Sequence, residues 1–437
     1  MQKNDDIVLD VNEKPSGIKW IGLSLQHMFS MFGSTVIVPL LVGLSPSIAL
    51  FASGIGTLLH ILITKGKIPA YMGSSFAFIT PMIALMKTTG ISGVQQGVIS
   101  VGIVYLLVAM LVWMLGTKWI DKLLPAIVVG PIVIVIGLSL AGSAAQDAMM
   151  KNGSYNLMYF LIALATLFLA IFFNMKLKGF LGMIPVLLAI IAGYLISMAC
   201  GLVNIHAIAT APWFKVPNFQ IFGTEKGFHF DFNAILIMAP IAFVTMTEHM
   251  GHLMVLGELT HRNFFKDPGL NRTLAGDGMA SLVAGILGGP AVTSYGENIG
   301  VMAITKVYSV YVIAGAALFA MAFAFVNKLN VLIMQMPLPV IGGISFLLFG
   351  TIASSGIKIM IDNHLDMNKK RNLMIVSVIL VIGVGNAYLQ LGHFQFTGVA
   401  LATVIGIILN LVLPKENNNS PKAKEIDAID ADTTDTL

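Results

Sequence analysis

The chain is 437 residues long, 57% hydrophobic and only 11% charged, against roughly a quarter charged in an ordinary soluble domain. That composition excludes a soluble enzyme, and a formal net charge of +4 gives no warrant for nucleic-acid binding. A single cysteine, Cys200, rules out an intrachain disulfide and a cysteine-rich metal site; its place at the end of an apolar stretch predicts a packing role.

Stretches of about 20 apolar residues, enough to cross a hydrocarbon core of about 30 Å, fall in chain order near residues 18–43, 46–64, 71–89, 94–116, 124–143, 157–174, 179–203, 232–258, 272–288, 291–305, 309–327, 332–357, 372–389 and 395–413. The prediction is an all-α polytopic membrane protein of fourteen spans. Residues 1–17 are polar and no small-residue cleavage site follows a short apolar core, so the first stretch is expected to remain as a span and not to leave as a signal peptide. Residues 415–437 mix Asn, Ser, Lys and Asp and are expected to be disordered. Alternate loops put all but Lys87, Lys151, Lys215, Lys226 and Lys328 of the basic residues on the side of the termini, which predicts that both ends are cytoplasmic.

Two carboxylates interrupt the apolar stretches. Glu248 lies in Thr247-Glu248-His249-Met250-Gly251-His252, and Glu297 in Ser294-Tyr295-Gly296-Glu297-Asn298-Ile299-Gly300. An ionisable group at membrane depth costs several kcal/mol unless it faces a polar cavity, so each marks a candidate site. Glu248 and His252 are four residues apart and share a helix face, which predicts a carboxylate–imidazole couple able to exchange a proton. His249, His27 and His60 are expected to be packing histidines. Glu258 and Asp277 are expected nearer the cytoplasmic interface, outside the site. The order of Glu248, His249 and His252 is wrong for the zinc-hydrolase arrangement, in which the Glu lies between two His four apart; neither a metal nor a catalytic residue is expected.

The chain also echoes itself. Gln26-His27-Met28 recurs as Glu248-His249-Met250, an offset of 222 residues (27 to 249), and Gly73-Ser74-Ser75-Phe76-Ala77-Phe78 has a loose counterpart in Thr293-Ser294-Tyr295-Gly296-Glu297, offset 219 (76 to 295). Two seven-span halves would have opposite topology, the inverted repeat of secondary transporters. The third and tenth stretches both begin with small and polar residues. Tyr71 to Ala77 can run extended, with Pro81 in the first turn of a following helix; Gly288-Gly289-Pro290 breaks the chain before Ala291 to Tyr295, and a helix can start near Gly296. Extended backbone at this depth needs burial or a cavity, and pairing of the two pieces would satisfy both. The two half-helices would then offer free N–H groups to the carbonyls of a ligand.

The run Gly73 to Pro81, Glu248-His249-x-Gly251-His252 and Tyr295 to Val301 resembles the signature of the nucleobase/ascorbate transporter family, and within it the bacterial uracil permeases; the similarity extends from about Ile18 to Pro414, through Leu23 to Gly33 and Ser345 to Asp362. The resemblance implies a core domain of spans 1–4 (residues 18–116) and 8–11 (232–327), and a gate domain of spans 5–7 (117–231) and 12–14 (328–414), with short paired strands in spans 3 and 10. It implies alternating access in a bacterial plasma membrane, uracil as substrate, symport of a proton with no other cofactor, a homodimer and surrounding lipid. Carried over by position, it makes Glu248 and Glu297 the side chains that hold the base, assisted by the N–H groups of Phe76 and Gly296, with the rings of Phe76 and Tyr295 against its faces and His252 coupled to Glu248 through a proton or water. Purine-carrying relatives typically have Gln where this chain has Glu297, which favours uracil over xanthine or uric acid. Two departures stand beside the match: Val292 where relatives commonly carry Asn, and Phe349 where some uracil permeases carry Tyr. The alternatives are a purine permease of the same family, a sensor that binds a nucleobase without transporting it, and an anion exchanger of similar architecture, whose substrate the two carboxylates would repel.

Overall fold

The computed structural model describes residues 7–224, 229–391 and 394–414; the expected disorder of 415–437 falls outside them. The chain forms α1 (Gly17–Val42), α2 (Pro46–Ile63), β1 (Met72–Ser74), a 3₁₀ turn (Phe76–Phe78) running into α3 (Ile79–Thr88), α4 (Gly90–Leu115), α5 (Lys118–Leu123), α6 (Ala126–Ser139), α7 (Ala141–Met149), the hairpin β2 (Met150–Lys151) and β3 (Ser154–Tyr155), α8 (Leu157–Lys176), α9 (Pro185–Ala199), α10 (Ile205–Thr210) and α11 (Phe232–Thr260). It continues with α12 (Leu270–Leu287), β4 (Val292–Ser294), α13 (Gly296–Thr305), α14 (Val310–Ala324), α15 (Asn327–Met334), α16 (Leu338–Asp362), α17 (Lys370–Val384), the hairpin β5 (Tyr388–Leu391) and β6 (Phe394–Thr397), and α18 (Gly398–Val412). Among the described residues, seven helical stretches are long and apolar enough to cross a membrane by length and composition, and four shorter apolar helices accompany them. This is a mostly helical, polytopic membrane fold.

The helices pack in two sets. α12 lies against α2 and α4, and α14 against α1 and α2; α16 lies against α6, α7 and α8, and α17 against α6 and α18. Lipid tails are as apolar as the helix faces, so association here depends on close backbone approach at small residues. On the α4–α12 contact, a Cβ built on Gly102 would sit 2.7 Å from the Gly278 carbonyl oxygen, and one on Gly278 would sit 2.8 Å from the Tyr105 side chain. Gly356 and Gly130 repeat the device between α16 and α6, with a Cβ on Gly356 placed 2.5 Å from the Gly130 oxygen.

At the centre, β1 and β4 pair antiparallel in the register Met72↔Ser294, Gly73↔Thr293 and Ser74↔Val292. The pairing extends at both ends through Ser75 N–H to Ala291 O (2.9 Å) and Tyr295 N–H to Tyr71 O (2.9 Å). The outer edges are closed by hydroxyls: Thr57 of α2 accepts from Met72 N–H at 2.9 Å, and Ser281 of α12 accepts from Val292 N–H at 3.2 Å while donating to Val292 O at 2.7 Å. An unpaired backbone group in this buried layer would cost several kcal/mol. Gly288, in the left-handed region at φ 85°, ends α12 just before the β4 run. Two expectations differ in detail. The last apolar stretch, 395–413, opens as strand β6 paired with β5, so α18 starts only at Gly398. Cys200, expected to pack, is exposed at the C-terminus of α9, because the helix ends one residue before it.

Candidate functional site

Two short helices start from the strand pair. The 3₁₀ turn at Phe76 follows β1, and α13 begins at Gly296 directly after β4; each first turn carries N–H groups with no partner inside its helix. The long helix α11 passes alongside both. It brings Glu248 and His252 to the same place.

Glu297 stands in the first turn of α13, where the positive end of the helix dipole favours a carboxylate. Ser34 of α1 donates to its Oε1 at 2.7 Å. Glu248 and Glu297 are both exposed although α11 and α13 run through the apolar bundle, so both face open space inside the fold, and they are near enough to repel one another. Phe76, in the 3₁₀ turn that packs against α11, is half-buried. A Cβ on Gly296 would lie 3.1 Å from His252 Nε2, so the imidazole edge rests against the Gly296 backbone. The site thus presents two carboxylate acceptors, two sets of helix-terminal N–H donors, and an aromatic edge.

His252 Nδ1 lies 3.0 Å from Ser294 Oγ on β4, and among the described residues His252 and Glu248 share no direct bond, so any coupling between them runs through a proton or a water. Two expectations need correction. Tyr295 does not lay its ring on the open space. It is 4% exposed, its hydroxyl donates to Ser74 O at 2.8 Å and lies 3.3 Å from Thr35 Oγ1, and the ring fills the room that a side chain on Gly73 would need. Asp277, expected near an interface, is wholly buried between His60 and His249, 3.0 Å and 3.1 Å from their Nδ1 atoms, at ion-pair distance though off the best hydrogen-bond angles. The packing roles expected of His249, His60 and His27 take definite form: His249 also reaches Ser294 Oγ at 3.0 Å, and His27 is bracketed by Asn298 Nδ2, 3.1 Å from its Nδ1 and 3.1 Å from its carbonyl. Glu258 is exposed at the end of α11. Among the described residues no group of three His, Cys, Asp or Glu could hold a metal ion.

Ser34, Thr35 and Ser294 were not visible as site residues in the sequence. A serine or threonine in an apolar helix usually bonds its own backbone, and only the fold reveals a carboxylate or an imidazole opposite it.

The Permease family matches residues 18–392 of this chain. This protein belongs to that family, the nucleobase/ascorbate transporters. The uracil permease of Bacillus subtilis (strain 168) is 49% identical over 424 residues, covering 95% of this chain and 98% of that protein. The uracil permease of Bacillus caldolyticus is 50% identical over 409 residues, covering 93% and 95%. Among solved structures, the transmembrane domain of the cyanobacterial bicarbonate transporter BicA superposes with a TM-score of 0.62 at 14% identity, covering 90% of this chain and 96% of that one; this likeness concerns the fold alone. The family member described here is a multi-pass membrane permease and not an enzyme.

Proposed function

We propose that this permease carries uracil inward together with a proton, by alternating access in a bacterial plasma membrane. The observation that carries the reading is the pair of exposed carboxylates, Glu248 and Glu297, set beside two helix N-termini on one buried strand pair. Uracil presents two ring N–H donors and two carbonyl acceptors in one plane. Carboxylates suit the donors, the N–H groups of Phe76 and Gly296 suit the carbonyls, and the half-buried Phe76 ring can cover a face. Tyr295 acts from beneath, holding the strands, and His252 reaches the site through its Nε2 edge. The names of the relatives, uracil permeases over nearly the full length, support the same substrate.

The proton is assigned to enter through the Glu248–His252 couple, where one added positive charge favours substrate binding and lets the loaded site cross with less buried charge. The fourteen-span arrangement, the seven-plus-seven inverted repeat, and the core (18–116 and 232–327) and gate (117–231 and 328–414) domains belong to this proposal. The two helix sets and the matched edge closure of β1 by Thr57 and β4 by Ser281 support them. Cytoplasmic termini, a lipid-embedded homodimer and a coupling proton with no other cofactor are part of the same proposal. The test is uptake of radiolabelled uracil into proteoliposomes with and without an inward proton gradient. Accumulation above equilibrium that a protonophore abolishes is expected; equilibration alone, or no uptake by folded protein, would overturn the proton-coupled reading.

A further inference from the structure

Behind the site, five polar side chains from four elements form a continuous chain. His252 Nδ1 is 3.0 Å from Ser294 Oγ, Ser294 Oγ is 3.0 Å from His249 Nδ1, His249 Nδ1 is 3.1 Å from Asp277 Oδ2, and Asp277 Oδ1 is 3.0 Å from His60 Nδ1. His249, Asp277 and His60 have no exposed side-chain surface, and Ser294 is 1% exposed. At its other end His252 lies against Gly296 and the open site.

The charges in this chain do not balance when all three histidines are neutral. A carboxylate without solvent costs several kcal/mol unless an opposite charge meets it, and among the described residues the ion-pair partners of Asp277 are the two imidazoles. The other titratable groups that face it are Tyr105 of α4, whose hydroxyl donates to Thr245 Oγ1 at 2.8 Å, and, toward the site, Glu248 and His252 of α11, with Glu297 of α13 beyond Glu248. None is a cation unless His252 is protonated. Arg272, on the same helix as Asp277, is turned to the Ile63 carbonyl at 3.5 Å. One added proton makes the buried cluster neutral.

We propose that the coupling proton is held on His249 against the Asp277 carboxylate, and that it arrives from His252 through the Ser294 hydroxyl. This rests on the proton-coupled reading above. A proton from the site binds His252 Nε2; the Nδ1 proton of His252 passes to Ser294 Oγ; the original hydroxyl proton of Ser294 passes to His249 Nδ1. One proton has entered, His252 is again neutral with its proton on Nε2, and His249 is an imidazolium facing Asp277. No bond other than N–H and O–H bonds has changed. His60 is a positioning residue on the far oxygen of the carboxylate. The loaded permease then reorients with the charge of Asp277 compensated, and the reverse sequence releases the proton on the other side.

The test uses the whole permease in proteoliposomes, with Ser294→Ala to break the relay, Ser294→Thr to restore the hydroxyl, and Asp277→Asn to remove the counter-ion. Three quantities are read: downhill uracil equilibration, accumulation driven by an imposed proton gradient, and proton uptake on uracil binding followed with a pH dye in weak buffer. Asp277→Asn, which needs no compensating proton, is expected to keep equilibration while losing accumulation and proton uptake; Ser294→Ala, which leaves the Asp277 charge uncompensated, is expected to lose all three, and Ser294→Thr to regain them. Accumulation and proton uptake by Ser294→Ala equal to wild type would overturn the relay. So would parallel loss of all three quantities without rescue by Ser294→Thr, the mark of a structural role only. Failure of the unmodified permease to accumulate uracil would instead remove the proton-coupled reading itself.

Discussion

Glu297 is stabilised from two directions, by the N-terminus of α13 and by the Ser34 hydroxyl at 2.7 Å. A hydrogen bond to a charged group contributes about 1.5 to 3 kcal/mol, so Ser34→Ala is expected to weaken uracil binding by roughly tenfold, measured by titration calorimetry, with little change in melting temperature. Gly296 is under a different constraint. Its missing side chain lets the His252 ring edge lie against the backbone, and a Cβ would stand 3.1 Å from Nε2. Gly296→Ala is therefore expected to displace the imidazole and reduce uracil uptake strongly while the protein still purifies as a folded species by size-exclusion chromatography. At this scale the two carboxylates were legible in the sequence, because a charge in an apolar run needs a reason. Their supports were not: Ser34 looks like any helix serine, and the surroundings of Asp277 are set by what α2 and α11 bring against it, which its neighbours in the chain do not show.

The strand pair is the element on which the site is built. Tyr295 ties it together through Ser74 O and Thr35 Oγ1, and its ring occupies the space beside Gly73. Tyr295→Phe leaves the Ser74 carbonyl short of a buried donor, a loss of about 1 to 3 kcal/mol; a lower melting temperature in detergent is expected, with uracil affinity changed less than in Gly296→Ala. The breaks in stretches three and ten were readable from Gly288-Gly289-Pro290 and from the small residues around Gly73. Their pairing is not fixed by those residues, since register depends on which hydroxyls close the outer edges, and Thr57 and Ser281 lie on other helices. The start of α18 is hidden for a similar reason: the apolar run continues through residues 394–397, and only pairing with β5 makes them a strand.

For the whole molecule, the proposed topology has a direct test. With fourteen spans and cytoplasmic termini, the C-terminal end of the seventh span lies outside, and Cys200 is exposed there and is the chain's single cysteine. A membrane-impermeant maleimide is expected to label the unmodified protein in intact cells, with no label on Cys200→Ser; labelling only after permeabilisation would reverse the orientation. Membrane residence, the approximate positions of the spans, and the two acidic positions follow from composition and order alone, because the cost of burying charge and backbone in lipid acts on each segment separately. The partners of those acids, the inward turn of Tyr295, and the buried line from His60 to His252 depend on helices far apart in the chain meeting at one place, and packing at glycine contacts such as Gly102–Gly278 is what brings them within bonding distance.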